Sequence, residues 1–187
     1  MNEQLKSPLQ KVVAFLEGNG YQYAVIGGIA MAQWGHLRFT YDIDIKVFVP
    51  NMNYEEIRAA LRTAFPEPAR QNAPVNPFIV AVTLDQITVD FLLTLPGYEE
   101  QIIKRAVRRN LSGFSAWICS AEDLIIQKVT AGRSKDWPDV EALLIEQLNQ
   151  LDEAYIEDWL VQFAEALEKP EMLTEYRRLV KKIKTLK

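Results

Sequence analysis

Leu9, Val12, Val13 and Leu16 recur at helical spacing behind Ser7-Pro8 and stop at Gly18-Asn19-Gly20, which predicts a capped amphipathic helix. The next apolar run, residues 21–26, is short, aromatic and β-branched and leads into Gly27-Gly28 and then 29–34, a pattern of strand, tight glycine turn and helix. Over 42–49 polar and apolar residues alternate until Pro50-Asn51, so a strand should turn Ile43, Ile45, Val47 and Val49 to a core. Asp42, Asp44 and Lys46 then share its other face. Asn53 should cap a helix carrying Tyr54, Ile57, Leu61 and Ala64, followed by a proline-rich loop over 66–77. Runs 78–83 and 87–93 predict a hairpin about Leu84-Asp85-Gln86, with Asp90 opposite Ile87, Val89 and Phe91.

From Ser120 the period becomes helical. Helices are expected over 121–131, 137–147, 152–167, with Ile156, Trp159, Leu160 and Phe163 inward, and 171–184, where Leu173, Tyr176, Val180 and Ile183 form the packed face. The outline is an α/β block, residues 1–118, followed by a helical bundle, residues 119–187, with no internal repeat.

Composition narrows the class. With 187 residues, 49% of them hydrophobic and 25% charged, the chain can bury a core and is not disordered. Its longest mostly apolar stretches, such as 23–34, fall short of the roughly 20 residues a bilayer needs, and its first residues lack a signal-peptide core, so a cytoplasmic protein away from membranes is expected. One cysteine, Cys119, and one histidine, His36, exclude a zinc cluster and an internal disulfide; Cys119 reads as a small buried hydrophobe and His36 as a turn residue. The net charge of −4 does not announce a nucleic-acid-binding surface. Two basic groups could still steer an RNA: Lys104, Arg105, Arg108 and Arg109, and the run Arg177, Arg178, Lys181, Lys182, Lys184 and Lys187.

Candidate chemistry gathers around Asp42 and Asp44. Period-two geometry puts both carboxylates on one strand face, and Asp90 from another strand would complete an oxygen-only site of the kind Mg²⁺ takes. Upstream, Gly27-Gly28 at a strand-to-helix turn lets backbone N–H groups approach a triphosphate. An exposed polar strand face and an ordinary turn are the plainer readings of each signal alone; their order along the chain joins them.

The pattern hG-G…R-x-T-x-D-h-D…h-D-h resembles the DNA polymerase β-type nucleotidyltransferase superfamily, and the stretch VIGGIAMAQWGHLRFTYDIDIKV is similar to its minimal members, among them AbiEii-type abortive-infection toxins. A second block, AEDLIIQKVTAGRSKDWPDVEALL, resembles the K-x4-R-x2-D-x2-D motif of that group; the resemblance spans about residues 22–147. It implies a mixed-sheet α/β (α+β) nucleotidyltransferase core with a C-terminal helical bundle. It further implies that Gly27 and Gly28 hold the triphosphate, that Arg38 and Thr40 contact phosphate, and that Asp42, Asp44 and Asp90 are the catalytic, metal-binding carboxylates for two Mg²⁺ ions. Lys128 would reach the triphosphate, with Arg133, Lys135, Asp136 and Asp139 as accessory residues. Helix chemistry alone reads Lys128 and Arg133 as solvent-facing charges and Asp136 as an N-cap.

The reaction implied is transfer of a nucleoside monophosphate from an NTP to a hydroxyl, with an RNA acceptor such as a tRNA 3′ end, in a toxin partnered by an antitoxin protein. Two alternatives stand beside it: a small-molecule, antibiotic-type acceptor, and a non-catalytic nucleotide- or partner-binding module. The presence of all three carboxylates argues against the last.

Overall fold

The computed structural model describes residues 3–37, 39–69 and 76–186. Among them are six strands and eight α-helices, α1 (Glu3–Gly18), β1 (Tyr23–Val25), α2 (Gly27–Gln33), β2 (Asp42–Val47), α3 (Tyr54–Ala64), β3 (Ile79–Leu84), β4 (Ile87–Leu93), α4 (Tyr98–Lys104), β5 (Val107–Asn110), β6 (Ser115–Ile118), α5 (Ala121–Ala131), α6 (Asp136–Gln147), α7 (Glu153–Ala166) and α8 (Pro170–Leu186). The chain forms two compact units, Met1–Ala32 with Arg38–Cys119 and Gln33–Leu37 with Ser120–Lys187. The stretch 33–37, which the sequence pattern leaves in the first block, is thus part of the second unit.

The first unit is built on a mixed sheet in the order β3-β4-β2-β1-β6-β5, as the α/β reading anticipates. β2 runs parallel to β4 and antiparallel to β1, β1 runs parallel to β6, and β3–β4 and β5–β6 are antiparallel pairs. Ile43, Ile45, Val47, Val89, Phe91 and Leu93 are all at most 2% exposed and make one face the core. Phe65, the C-cap residue that follows α3, stacks on Phe91 at 5.7 Å and meets Phe15 of α1 edge-on at 5.2 Å, so α1 and the end of α3 close that face. The β3–β4 turn places Asp85 and Gln86 at positive φ, the geometry that matches strand twist in a two-residue hairpin. Lys11 of α1 holds it through Asp85 at 2.7 Å.

Several boundaries differ from the pattern. α1 begins at Glu3, with Pro8 inside it; Leu5, fully buried, extends the apolar stripe one turn, and its packing outweighs the backbone bond that Pro8 cannot donate. Asn53 sits at the N-cap of α3 but its amide donates to Glu56 Oε2 instead of capping the backbone. The stretch 98–118, to which hydropathy assigns no element, holds α4, β5 and β6. Of the proline-rich loop, 70–75 lie outside the described residues, while Pro68 bridges to Val82 beside β3.

The second unit packs α5 to α8. Ser120 caps α5, its hydroxyl oxygen accepting from Asp123 N at 3.1 Å and its hydroxyl donating to the Asp123 carboxylate at 2.9 Å; Gly132 closes the helix in the left-handed region. The buried stripe of α8 is Met172, Tyr176, Leu179 and Ile183, one residue round from the face expected at Leu173 and Val180. Its basic residues answer acidic ones: Arg177 binds Glu157, Arg178 Glu175, Lys182 Glu141 and Lys184 Glu153. Among the described residues no helix is long and apolar enough to cross a membrane.

Candidate active site

Alternation along β2 does what its sequence predicts: Ile43, Ile45 and Val47 face the core, and Asp42 and Asp44 face away from it. The parallel register of β2 and β4 sets Asp44 directly opposite Asp90, and Asp42 opposite Thr88. Neighbouring strands lie about 4.8 Å apart, so Asp44 and Asp90 share one patch of one face with Asp42 two residues along. Cys119, fully buried, donates its backbone N–H to Val25 on β1, and Ile26 N–H bonds Asp44 O at 2.9 Å, which ties the end of β1 to the carboxylate strand.

That tie delivers the glycine pair to the carboxylates. Gly27 opens α2 with φ +62°, a conformation that favours glycine, and a Cβ built there would stand 2.2 Å from Asp44 Oδ2. At Gly28 the same atom would stand 2.6 Å from Thr40 Cβ and Oγ1. Both glycines are therefore required by close approach: the Asp44 carboxylate lies over Gly27 and the Thr40 side chain over Gly28. The Thr40 hydroxyl donates to Asp42 Oδ1 at 2.8 Å, linking the loop to the first carboxylate. Arg38, the other phosphate-contacting candidate, lies outside the described residues.

Further along the same face, Lys46 is 4% exposed, contrary to a solvated strand face. Its ammonium meets Glu99 Oε1 at 2.5 Å, and Glu99 Oε2 accepts from Leu95 N at 2.8 Å. Sequence reasoning missed Glu99; the helical recurrence of Tyr98, Ile102 and Ile103 was the available signal.

Among the described residues, no group of three or more His, Cys, Asp or Glu side chains stands ready to hold a metal ion. The donors on the sheet face nonetheless suit a hard cation: they are carboxylates only, two of them direct neighbours across paired strands and one, Asp44, packed directly over Gly27.

The residues of the second motif assemble in the second unit. Lys128 is 6% exposed, not solvent-facing, because its ammonium lies 2.5 Å from Asp139 Oδ2 and 3.7 Å from Asp136 Oδ1. Asp136 is not an N-cap: it is the first residue of α6, follows Lys135 at the cap position, and accepts from Arg133 Nε at 2.6 Å and Nη2 at 3.0 Å. Burial would raise the Asp136 carboxyl, but the bond and charge of Arg133 and the charge of Lys128 win and hold it below the ordinary carboxylate range. Arg133 and Lys135 are themselves exposed.

A family model described as nucleotidyltransferase of unknown function (DUF6036) matches residues 4–184. No curated protein matches the sequence. Among solved structures, an antigenic nucleotidyltransferase-like protein from Paracoccidioides brasiliensis is similar over 94% of this chain and 93% of its own, at 18% identity and TM-score 0.58. The antibiotic-resistance factor ANT(2″)-Ia is similar in its solution structure, over 91% of this chain and 97% of its own at 14% identity and TM-score 0.61. Its crystal structure in complex with adenylyl-2″-tobramycin is similar over 86% and 97%, at 15% identity and TM-score 0.58. At such identities the likeness is one of fold.

Proposed function

We infer, from the premise that the chain belongs to the DUF6036 family of nucleotidyltransferases, that it transfers a nucleoside monophosphate from an NTP to an acceptor hydroxyl in a Mg²⁺-dependent reaction. The observation that carries this reading is the register of Asp44 against Asp90, with Asp42 two residues along and Gly27-Gly28 against them. Asp42, Asp44 and Asp90 would hold two Mg²⁺ ions, whose chemistry there is to neutralise charge on the transferring phosphate. Gly27 and Gly28 give the triphosphate access to backbone N–H groups at the start of α2, with Thr40 beside it; for Arg38 the phosphate contact is carried by the sequence motif alone. An acceptor oxygen forms its bond to the α-phosphorus as the bond to the β-phosphate bridge breaks. Pyrophosphate leaves, and Asp90 orients the hydroxyl and takes its proton.

The acceptor in this reading is an RNA, such as a tRNA 3′ end, and the biological setting an AbiEii-like toxin held in check by an antitoxin protein. A small-molecule acceptor is the second reading, favoured by the fold likeness to ANT(2″)-Ia, whose structure holds adenylyl-2″-tobramycin. Lys128, Arg133, Lys135 and Asp136 enter here as a charged cluster of the second unit. Lys128 already spends its ammonium on two carboxylates, which supports a positioning role more than direct contact with phosphate.

The deciding experiment incubates the protein with Mg²⁺, each α-labelled NTP, and total tRNA or tobramycin, beside Asp42→Ala. Label on tRNA that Asp42→Ala abolishes is the expected result, label on tobramycin selects the second reading, and label on neither with intact NTP binding overturns both acceptors and turns to another acceptor or a binding module. Gly27→Ala tests the cradle: its Cβ must displace Asp44, and transfer should fall about 100-fold, the scale on which a 1 Å misplacement acts, while circular dichroism stays native. Unchanged transfer in that variant would separate Asp44 from the reaction.

A further inference from the structure

We propose that Phe39 and Tyr41 are a stacking clamp for an unpaired base of the acceptor RNA. The proposal rests on the transferase reading above and names how its acceptor is gripped. The three most exposed large apolar side chains among the described residues all fall in the stretch 37–41: Phe39 at 85%, Leu37 at 78% and Tyr41 at 76%. Single exposed apolar residues are ordinary, but a cluster at a site is a sign of a ligand. Thr40, between the two rings, turns inward over Gly28 and bonds Asp42, so this short segment presents its polar residue to the carboxylates and its aromatics to solvent.

The spacing suits a flat ring. Two residues apart, the Cα atoms of Phe39 and Tyr41 stand at most about 7 Å from one another, and a ring held between two others needs twice the stacked-base rise of about 3.4 Å. Aromatic side chains grip single-stranded nucleic acid in this manner, tolerant of sequence because every base has a π-face. An aminoglycoside has no such face. A protein covering the rings would lie one residue from Asp42, where the acceptor must enter, so an acceptor is the occupant that fits a working enzyme. The basic run of α8 is largely matched by acidic partners, so the proposed grip is stacking and does not draw on that run.

The test uses the full chain and a single-stranded RNA with 2-aminopurine as its 3′-terminal base, with the same RNA annealed into a duplex, and a fluorescent ATP analogue as an independent probe of the nucleotide site. Because both rings are exposed, the Phe39→Ala/Tyr41→Ala protein should fold as the parent does, checked by thermal unfolding. Expected are quenching of 2-aminopurine by the parent, at least about tenfold weaker single-strand binding by the double variant, persistence of that difference at high salt, rescue by Phe39→Tyr/Tyr41→Phe, and unchanged affinity for the ATP analogue. Equal RNA binding by parent and double variant, or none by either while the ATP analogue still binds, overturns the clamp alone and hands the rings to a protein partner. Failure of the parent to bind the ATP analogue overturns the transferase reading, and the clamp with it.

Discussion

Asp44→Asn lowers nucleotidyl transfer by at least about a thousandfold at saturating Mg²⁺ and NTP, the largest loss expected of any isosteric change in the protein. Asparagine keeps the volume over Gly27 and the register opposite Asp90, so the loss isolates charge from shape. Metal-assisted charge stabilisation is worth several kcal/mol, and each 1.4 kcal/mol is about tenfold in rate. The check pairs steady-state transfer with calorimetric titration of Mg²⁺ into the NTP-bound protein. A variant that retains both rate and Mg²⁺ dependence would remove Asp44 from the metal set, and attention would pass to Asp42 and Asp90.

Lys128→Met is expected to destabilise the protein by about 3–5 kcal/mol, the usual cost of leaving a buried carboxylate without its counter-charge. Arg133 stays on Asp136, whereas Asp139, 5% exposed and 2.5 Å from the lysine, loses that ion pair. Denaturant unfolding measures the loss, and adding Asp139→Asn to Lys128→Met should recover a large part of it, since the penalty belongs to the carboxylate that loses the lysine. A variant of normal stability that no longer binds NTP would show instead that the lysine contacts the triphosphate.

Strand alternation alone brings Asp42 and Asp44 to one face, because a period of two is a local property that any core-facing strand must obey. The glycine pair was legible for a similar reason, as a break between an apolar strand and a helix. Register was not: Asp44 meets Asp90 only because β2 and β4 pair in parallel, a match between segments far apart in the chain. β5 escaped hydropathy because an edge strand reading Val-Arg-Arg-Asn has little to bury, and its charges discourage further pairing. α4, seven residues long, is too short for its period to stand out. Lys128 and Lys46 mislead in the same way. A periodicity count scores lysine as polar, whereas in the fold each is covered once a carboxylate from another turn or element neutralises it.

The stretch Gln33–Leu37 interrupts the first unit yet belongs with the helices that follow Cys119. Within the second unit Gln147 donates its amide to Trp34 O at 2.9 Å, and Gly35 lies close to Glu146. During synthesis, therefore, Trp34 leaves the ribosome long before the helix that will receive it. The second unit is not a tail that could be cut away or grafted elsewhere as one piece of chain. Its completion reaches back to the loop that joins the glycine turn to the first carboxylate strand, so the second unit cannot close until both of its stretches of chain have been made.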